Sequence, residues 1–269
     1  MTGASRDHQR GEISMSDFDR NVAARGIGTA RAAAIDVGLR AYMIRVYNYM
    51  ASGVALTGVV SLIAFQAAGG EAVHIAGNQI VGATAFGQMI FSFPVMIVLF
   101  LGTLGIVFFL SARVNRLDVS TAFGLFMLYA ALLGLMLMPI FVQYTGASIA
   151  RTFFISAASF GALSLYGYTT QRDLSPIGSF LIMGVFGLIL AMVVNMFLQS
   201  TGLDFVISAI GVLIFAGLTA YDTQRIKEMY SVNDDGSVAG RKAVMGALSL
   251  YLDFINLFLF LLRFMGNRR

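Results

Sequence analysis

Seven apolar stretches, each long enough to cross a bilayer as a helix, run through this chain almost free of charge. A crossing takes roughly 17–25 helical residues. Candidates lie near 46–68, 86–110, 119–141, 152–171, 177–199, 205–222 and 243–263. The alternation of lipid-facing and lumen-facing residues that an outer-membrane barrel requires is absent. A content of 29 Gly and 23 Phe with only three Pro suits packed helices better than strands. Only 12% of the residues are charged, where a soluble domain carries about 25%. The expected fold is an all-α membrane protein, a seven-transmembrane helix bundle.

Lysine and arginine set the orientation. With the N-terminus cytoplasmic, 14 of the 18 basic residues fall on the inside, in 1–45, 113–116, Arg172 and 225–242. Only Arg151, Arg263, Arg268 and Arg269 fall outside. The positive-inside rule therefore favours an N-in arrangement. The three C-terminal arginines run against it, because an odd number of spans places them outside. Residues 1–45 are read as a cytoplasmic basic tail and juxtamembrane helix, and 46–269 as the transmembrane domain. The tail is expected to be disordered to about Gly28. A helix over 31–49 would bring Tyr42, Tyr47 and Tyr49 to interface depth. No signal-peptide pattern precedes the first span, which is then a retained anchor. Met15 is an alternative start.

Several chemistries are excluded. The chain has no cysteine, so disulfides, thiolate metal sites and a cysteine nucleophile are ruled out. His8 and His74 lie outside the apolar runs, which leaves no histidine metal centre. No Gly-x-Ser-x-Gly and no phosphate-binding glycine loop occurs. The net charge of +4 follows membrane topology and does not form a nucleic-acid surface. The expected partner is the lipid bilayer, with no nucleic acid, no cofactor and no enzymatic activity.

One charge stands inside the spans. Asp253 is the only charged residue between Lys242 and Arg263. Holding a carboxylate near mid-membrane costs roughly 2.5–3.5 kcal/mol on insertion scales, and such groups are usually functional. Ser249, Asp253, Asn256, Phe260 and Arg263 are spaced to share one helix face, which turns Asp253 into the bundle. The competing reading is a hydrogen-bonded packing residue. Asp222 closes the sixth span in Gly-Leu-Thr-Ala-Tyr-Asp-Thr-Gln-Arg-Ile-Lys, where Arg225, three residues on, offers it a local partner. Two carboxylates that approach each other cannot both ionise cheaply and titrate as a pair. That is the chemistry of a pH sensor or a cation site. The two meet only if the helices leave the membrane at different places, for instance if the sixth continues to Tyr230. Arg113, ending the second span, is either a positive partner for the pair or a headgroup anchor. Asn195 is read as glue between helices, Ala157 and Gly161 as points of close approach, and Glu71 and His74 as solvated loop residues.

The runs 217–226 (Gly-Leu-Thr-Ala-Tyr-Asp-Thr-Gln-Arg-Ile) and 247–263 (Ala-Leu-Ser-Leu-Tyr-Leu-Asp-Phe-Ile-Asn-Leu-Phe-Leu-Phe-Leu-Leu-Arg) resemble the transmembrane Bax-inhibitor-motif family in its bacterial YccA-like branch. The likeness extends over roughly 40–269 in the number and order of spans. It implies a seven-helix bundle with the last helix central, in the bacterial inner membrane. It further implies a pH-sensitive calcium leak governed by an aspartate pair, Asp222 and Asp253, with calcium as the permeant or bound ion. The family's second-helix arginine maps by position to Arg113, while Tyr221, Ser249 and Asn256 are the supporting polar positions. The segment Asn-Asp-Asp-Gly-Ser (233–237) is an insertion relative to compact members.

Two other readings stay open. A regulatory protein would bind a membrane partner, such as the membrane protease suggested by the YccA branch, through the basic tail. An intramembrane aspartyl protease also uses acids on its sixth and seventh helices, and Tyr221-Asp222 matches its Tyr-Asp. Its second motif fails, because Leu250, Tyr251 and Leu252 precede Asp253 where Gly-x-Gly is required, and no proline follows Pro176.

Overall fold

The computed structural model of the chain describes residues 15–76 and 79–269, with side chains from Val37 onward except Gln79. Residues 1–14, and with them the first part of the tail read as a partner contact, lie outside the described residues. The chain forms two compact units, Met1–Ala41 and Tyr42–Arg269. In the first, the backbone is helical from Met15. The alanines and arginines there are good helix formers.

The helices are α1 (Met15–Ala67), α2 (Ala85–Phe91), α3 (Phe93–Arg113), α4 (Val119–Leu137), α5 (Pro139–Gln143), α6 (Gly146–Thr169), α7 (Ser175–Leu198), α8 (Thr201–Glu228) and α9 (Gly236–Met265). A small antiparallel hairpin, β1 (His74–Ala76) with β2 (Gln79–Val81), interrupts them with Ile75 opposite Ile80. Among the described residues seven segments are long and apolar enough to cross a membrane: Val37–Ala67, Phe93–Arg116, Val119–Gln143, Gly146–Thr169, Ser175–Leu198, Thr201–Glu228 and Gly236–Met265. The expected all-α membrane bundle is what the chain forms.

Some span ends move, each for a local reason. The second span starts at Phe93 and not near 86, because Pro94 has no N–H for a preceding turn, leaving α2 as a separate helix. Proline likewise opens α5 after Met138. The sixth span runs on to Glu228, well past Asp222. The segment 233–237 supplies the start of α9, where Asp235 Oδ1 accepts from the backbone N–H groups of Ser237 and Val238. Beside it, Asp234 pairs with Lys242 at 2.6 Å.

α9 is the central helix. Along its apolar stretch 72% of residues are buried, against 11% in α3 and in α7, whose outer surfaces are left uncovered by the bundle. The polar face predicted for α9 is therefore not opposed by a lipid face, since Phe254, Ile255, Leu257 and Phe258 are buried as well. Glycine allows the tightest crossings. A Cβ at Gly167 of α6 would run into the Ala220 carbonyl of α8, and one at Gly211 of α8 would enter the Phe260 ring of α9. Gly161 plays no such part, because it is exposed with nothing within 4 Å of a Cβ placed there. Tyr42, expected at the interface, is buried against Tyr230 with ring centroids 5.6 Å apart.

Candidate functional site

α8 and α9 run antiparallel. Gly211 meets Phe260 at one end of their contact, and Ile226 meets Gly246 at the other. Asp222 and Asp253 lie between these two points on facing helices, near enough for each carboxyl group to act on the other. The condition on depth is met because α8 extends beyond Asp222 by more than a turn, which sets that residue within the bundle. Asp253 is 5% exposed and its Oδ2 has no partner among the described residues, while Asp222 is half-buried. Two carboxyl groups this close can share a proton or a cation between them, because the doubly ionised pair repels itself.

The other predicted positions are placed differently. Arg225 is close enough to act on Asp222 through its charge, but it lies beyond ion-pair distance and is exposed. Arg113 is exposed at the end of α3 and makes no ion pair with either aspartate. Ser249 is half-buried on the α9 face. Asn256 donates from Nδ2 to the Leu252 carbonyl at 2.8 Å. It lines a cavity of about 480 Å³ together with Phe260, Arg263 and Gln143. Tyr221 lays its ring over Gly178 of α7, 2.5 Å from where a Cβ would stand. No group of three or more His, Asp or Glu gathers into a metal site among the described residues.

The sequence profile of the family described as Inhibitor of apoptosis-promoting Bax1 matches residues 39–269. The chain belongs to the Bax inhibitor family. It is 46% identical to the inner membrane protein YbhL of Escherichia coli over 235 residues, covering 86% of this chain and 94% of that one. An uncharacterized protein of Rickettsia prowazekii is also 46% identical, over 90% of this chain and 95% of its own. One from Caulobacter vibrioides is 40% identical over 95% of this chain and 100% of its own.

Around the aspartates, this Bax inhibitor family member builds hydroxyl and amide ties that its sequence did not single out. The Tyr251 and Thr57 hydroxyls are 2.6 Å apart, and Thr57 also reaches the Ala130 carbonyl at 2.9 Å, joining α9, α1 and α4. Tyr47, Ser164 and Thr223 form a second chain, at 2.6 and 2.8 Å, across α1, α6 and α8. Gln224 accepts from the Leu174 N–H and donates to the Arg172 carbonyl, both at 2.8 Å. The available signal was the type of residue: Tyr, Thr, Ser and Gln inside apolar spans need partners.

Two further expectations are corrected at the ends of the spans, and the C-terminal arginines find partners there. Asn195 Oδ1 accepts from the Ser200 N–H at 3.0 Å and so closes the α7–α8 turn, without bridging helices. Glu71 is not merely solvated, since both its oxygens accept from Arg269, at 2.6 and 3.0 Å. That hydrogen bond holds its carboxyl below the usual value. Arg263 and Arg268 both pair with Asp204 at 3.3 Å. The arginine cluster that ran against the positive-inside rule is thus matched by Asp204, in the first turn of α8, and by Glu71.

Proposed function

We propose that this protein is a pH-sensitive calcium (cation) leak of the bacterial inner membrane, with Asp222 and Asp253 as its proton- and ion-exchanging pair. The observation that carries this reading is the approach of Asp222 and Asp253 on facing helices, with Asp253 Oδ2 buried and unpartnered among the described residues. A proton between them suits a closed arrangement of α8 and α9, and loss of that proton leaves repelling charges that a cation relieves. Two carboxylates with no third acidic or histidine ligand beside them among the described residues suit a passing ion better than a resident calcium, which takes six to eight oxygens. The cavity lined by Asn256 begins three residues from Asp253 and extends to Arg263, so it provides one half of a path. Membership of the family and the inner-membrane relative support the location. The 14-to-4 division of basic residues supports a cytoplasmic N-terminus.

The test is calcium flux from proteoliposomes across pH 5 to 8, for wild type, Asp222→Asn and Asp253→Asn. Flux should depend on pH in the wild type and lose that dependence in both variants. Wild-type flux that persists unchanged in either variant would remove the pair from the mechanism.

A further inference from the structure

A second site lies on the opposite flank of α9 and does not depend on the leak reading. A groove of about 380 Å³ opens between α1, α6 and α9, with Leu137 and Phe141 forming its end. Its wall includes Thr57, Gly58, Ser61, Ala150, Phe254 and Phe258, and no charged residue lines it. Gly58 and Ala150 are exposed, and a Cβ placed at Gly58 would meet nothing within 4 Å, so the groove is open toward lipid. It contains two hydroxyl groups. That of Thr57 is engaged with Tyr251 and the Ala130 carbonyl. That of Ser61, a residue 3% exposed, has no partner among the described residues. A buried hydroxyl left unsatisfied is unfavourable, so an apolar groove with one free donor calls for an apolar ligand carrying an acceptor at the matching height.

Depth specifies that ligand. The first span, Val37–Ala67, is about 46 Å long at about 1.5 Å per residue. That covers the roughly 40–45 Å of a bilayer with its interfaces, of which roughly 30 Å is hydrocarbon. Ser61 lies six residues before the span's end at Ala67, hence about 9 Å below the surface. This is the boundary where headgroup gives way to hydrocarbon, the level of the ester carbonyls of a phospholipid. From there the groove runs inward to Val54 and Phe254, at acyl-chain depth. We propose that it binds one phospholipid from the leaflet on the chain's C-terminal side, with an acyl tail in the groove and an ester carbonyl accepting from the Ser61 hydroxyl. The tail then packs on Phe254 and Phe258, the same stretch of α9 that carries Asp253.

The test uses the full chain, purified in detergent and stripped of lipid. It is titrated with dioleoylphosphatidylcholine, with the ether-linked analogue that lacks the ester carbonyls, and with oleic acid, reading affinity from the rise in Tm. The ester lipid should raise Tm, and the ether lipid should bind roughly three- to tenfold more weakly, as for loss of one hydrogen bond. Ser61→Ala should weaken the ester lipid by the same factor and erase the difference between the two lipids. Gly58→Phe should abolish the lipid-dependent rise, and Ala150→Phe should do so from the opposite wall if the first variant fails to fold. Equal affinity of the wild type for ester and ether lipids overturns the proposal. So does a wild-type response in the groove-filling variants, or oleic acid binding at least as tightly as the phospholipid.

Discussion

Gly167 and Gly161 lie on the same helix six residues apart, and nothing in their immediate sequence says which one is needed. Only Gly167 faces a neighbouring backbone, the Ala220 carbonyl of α8. Gly167→Val should therefore lower stability by about 1–3 kcal/mol through overpacking. Gly161→Val should change it by less than about 0.5 kcal/mol, both read by thermal unfolding in detergent. Equal losses would mean that helix propensity, not the crossing, sets the cost. The same limit applies to the hydroxyl groups. Tyr251 and Thr57 are far apart in the chain, and each finds its partner only when α1 and α9 pack. Tyr251→Phe should cost about 1 kcal/mol as the Thr57 hydroxyl loses a partner, and the loss should largely vanish in a Thr57→Val background.

Element boundaries depend on a few local signals, and the start of α9 is the most testable. Backbone hydrogen bonds from Val238, then the Ser237 hydroxyl and N–H, hold the Asp235 carboxyl below the ordinary Asp value of 3.8. A depressed value in the folded state means folding favours the ionised form. Its contribution is complete above the ordinary value and is lost as pH falls through the lower folded one. Amide-exchange protection factors over the first turn of α9 should thus fall below about pH 4 in the wild type. Asp235→Asn, which caps without ionising, should show no such step. A step of equal size in both proteins would assign it to another group. The seven spans were legible within a few residues because each reflects the transfer of its own side chains into lipid. The breaks before Phe93 and at Pro139 are proline effects, visible in the sequence but outweighed there by continuous hydropathy. The extension of α8 past Asp222 has no hydropathy signal, since Thr223, Gln224, Arg225 and Lys227 are polar, and it rests on contacts such as Gln224 with the Arg172 and Leu174 backbone.

At the scale of the whole molecule, an odd number of crossings predicts that the two ends lie on opposite sides of the membrane, and the charge bias predicts that the N-terminal side is cytoplasmic. The chain contains no cysteine, so single cysteines report topology directly. In spheroplasts, a membrane-impermeant maleimide should label His74→Cys but not Asn233→Cys. The reverse pattern would put the N-terminus outside. The ion pairs of Arg263, Arg268 and Arg269 with Asp204 and Glu71 would let a basic end be accommodated on the poorly basic side that this topology assigns to it. Being exposed, the Glu71 pair contributes little to global stability, and its effect should be local. Glu71→Gln should speed trimming of the C-terminal arginines by carboxypeptidase B while leaving the midpoint of unfolding in place.

Sequence alone determined that this chain crosses a membrane seven times as helices, which way its charge bias points, and which two acids deviate from an apolar pattern. These are properties of segments read one at a time, because each residue's transfer free energy into lipid is nearly independent of distant residues. Tertiary structure decided that Asp222 and Asp253 approach each other, that Arg113 and Arg225 form no ion pair with them, that α9 is the most buried of the spans, and that a hydroxyl without a partner among the described residues lines an apolar groove. Each of those depends on the register between helices far apart in the chain, set by where glycines admit a neighbour and where buried hydroxyl and amide groups find partners. That information lies in pairs of residues, and hydropathy carries none of it.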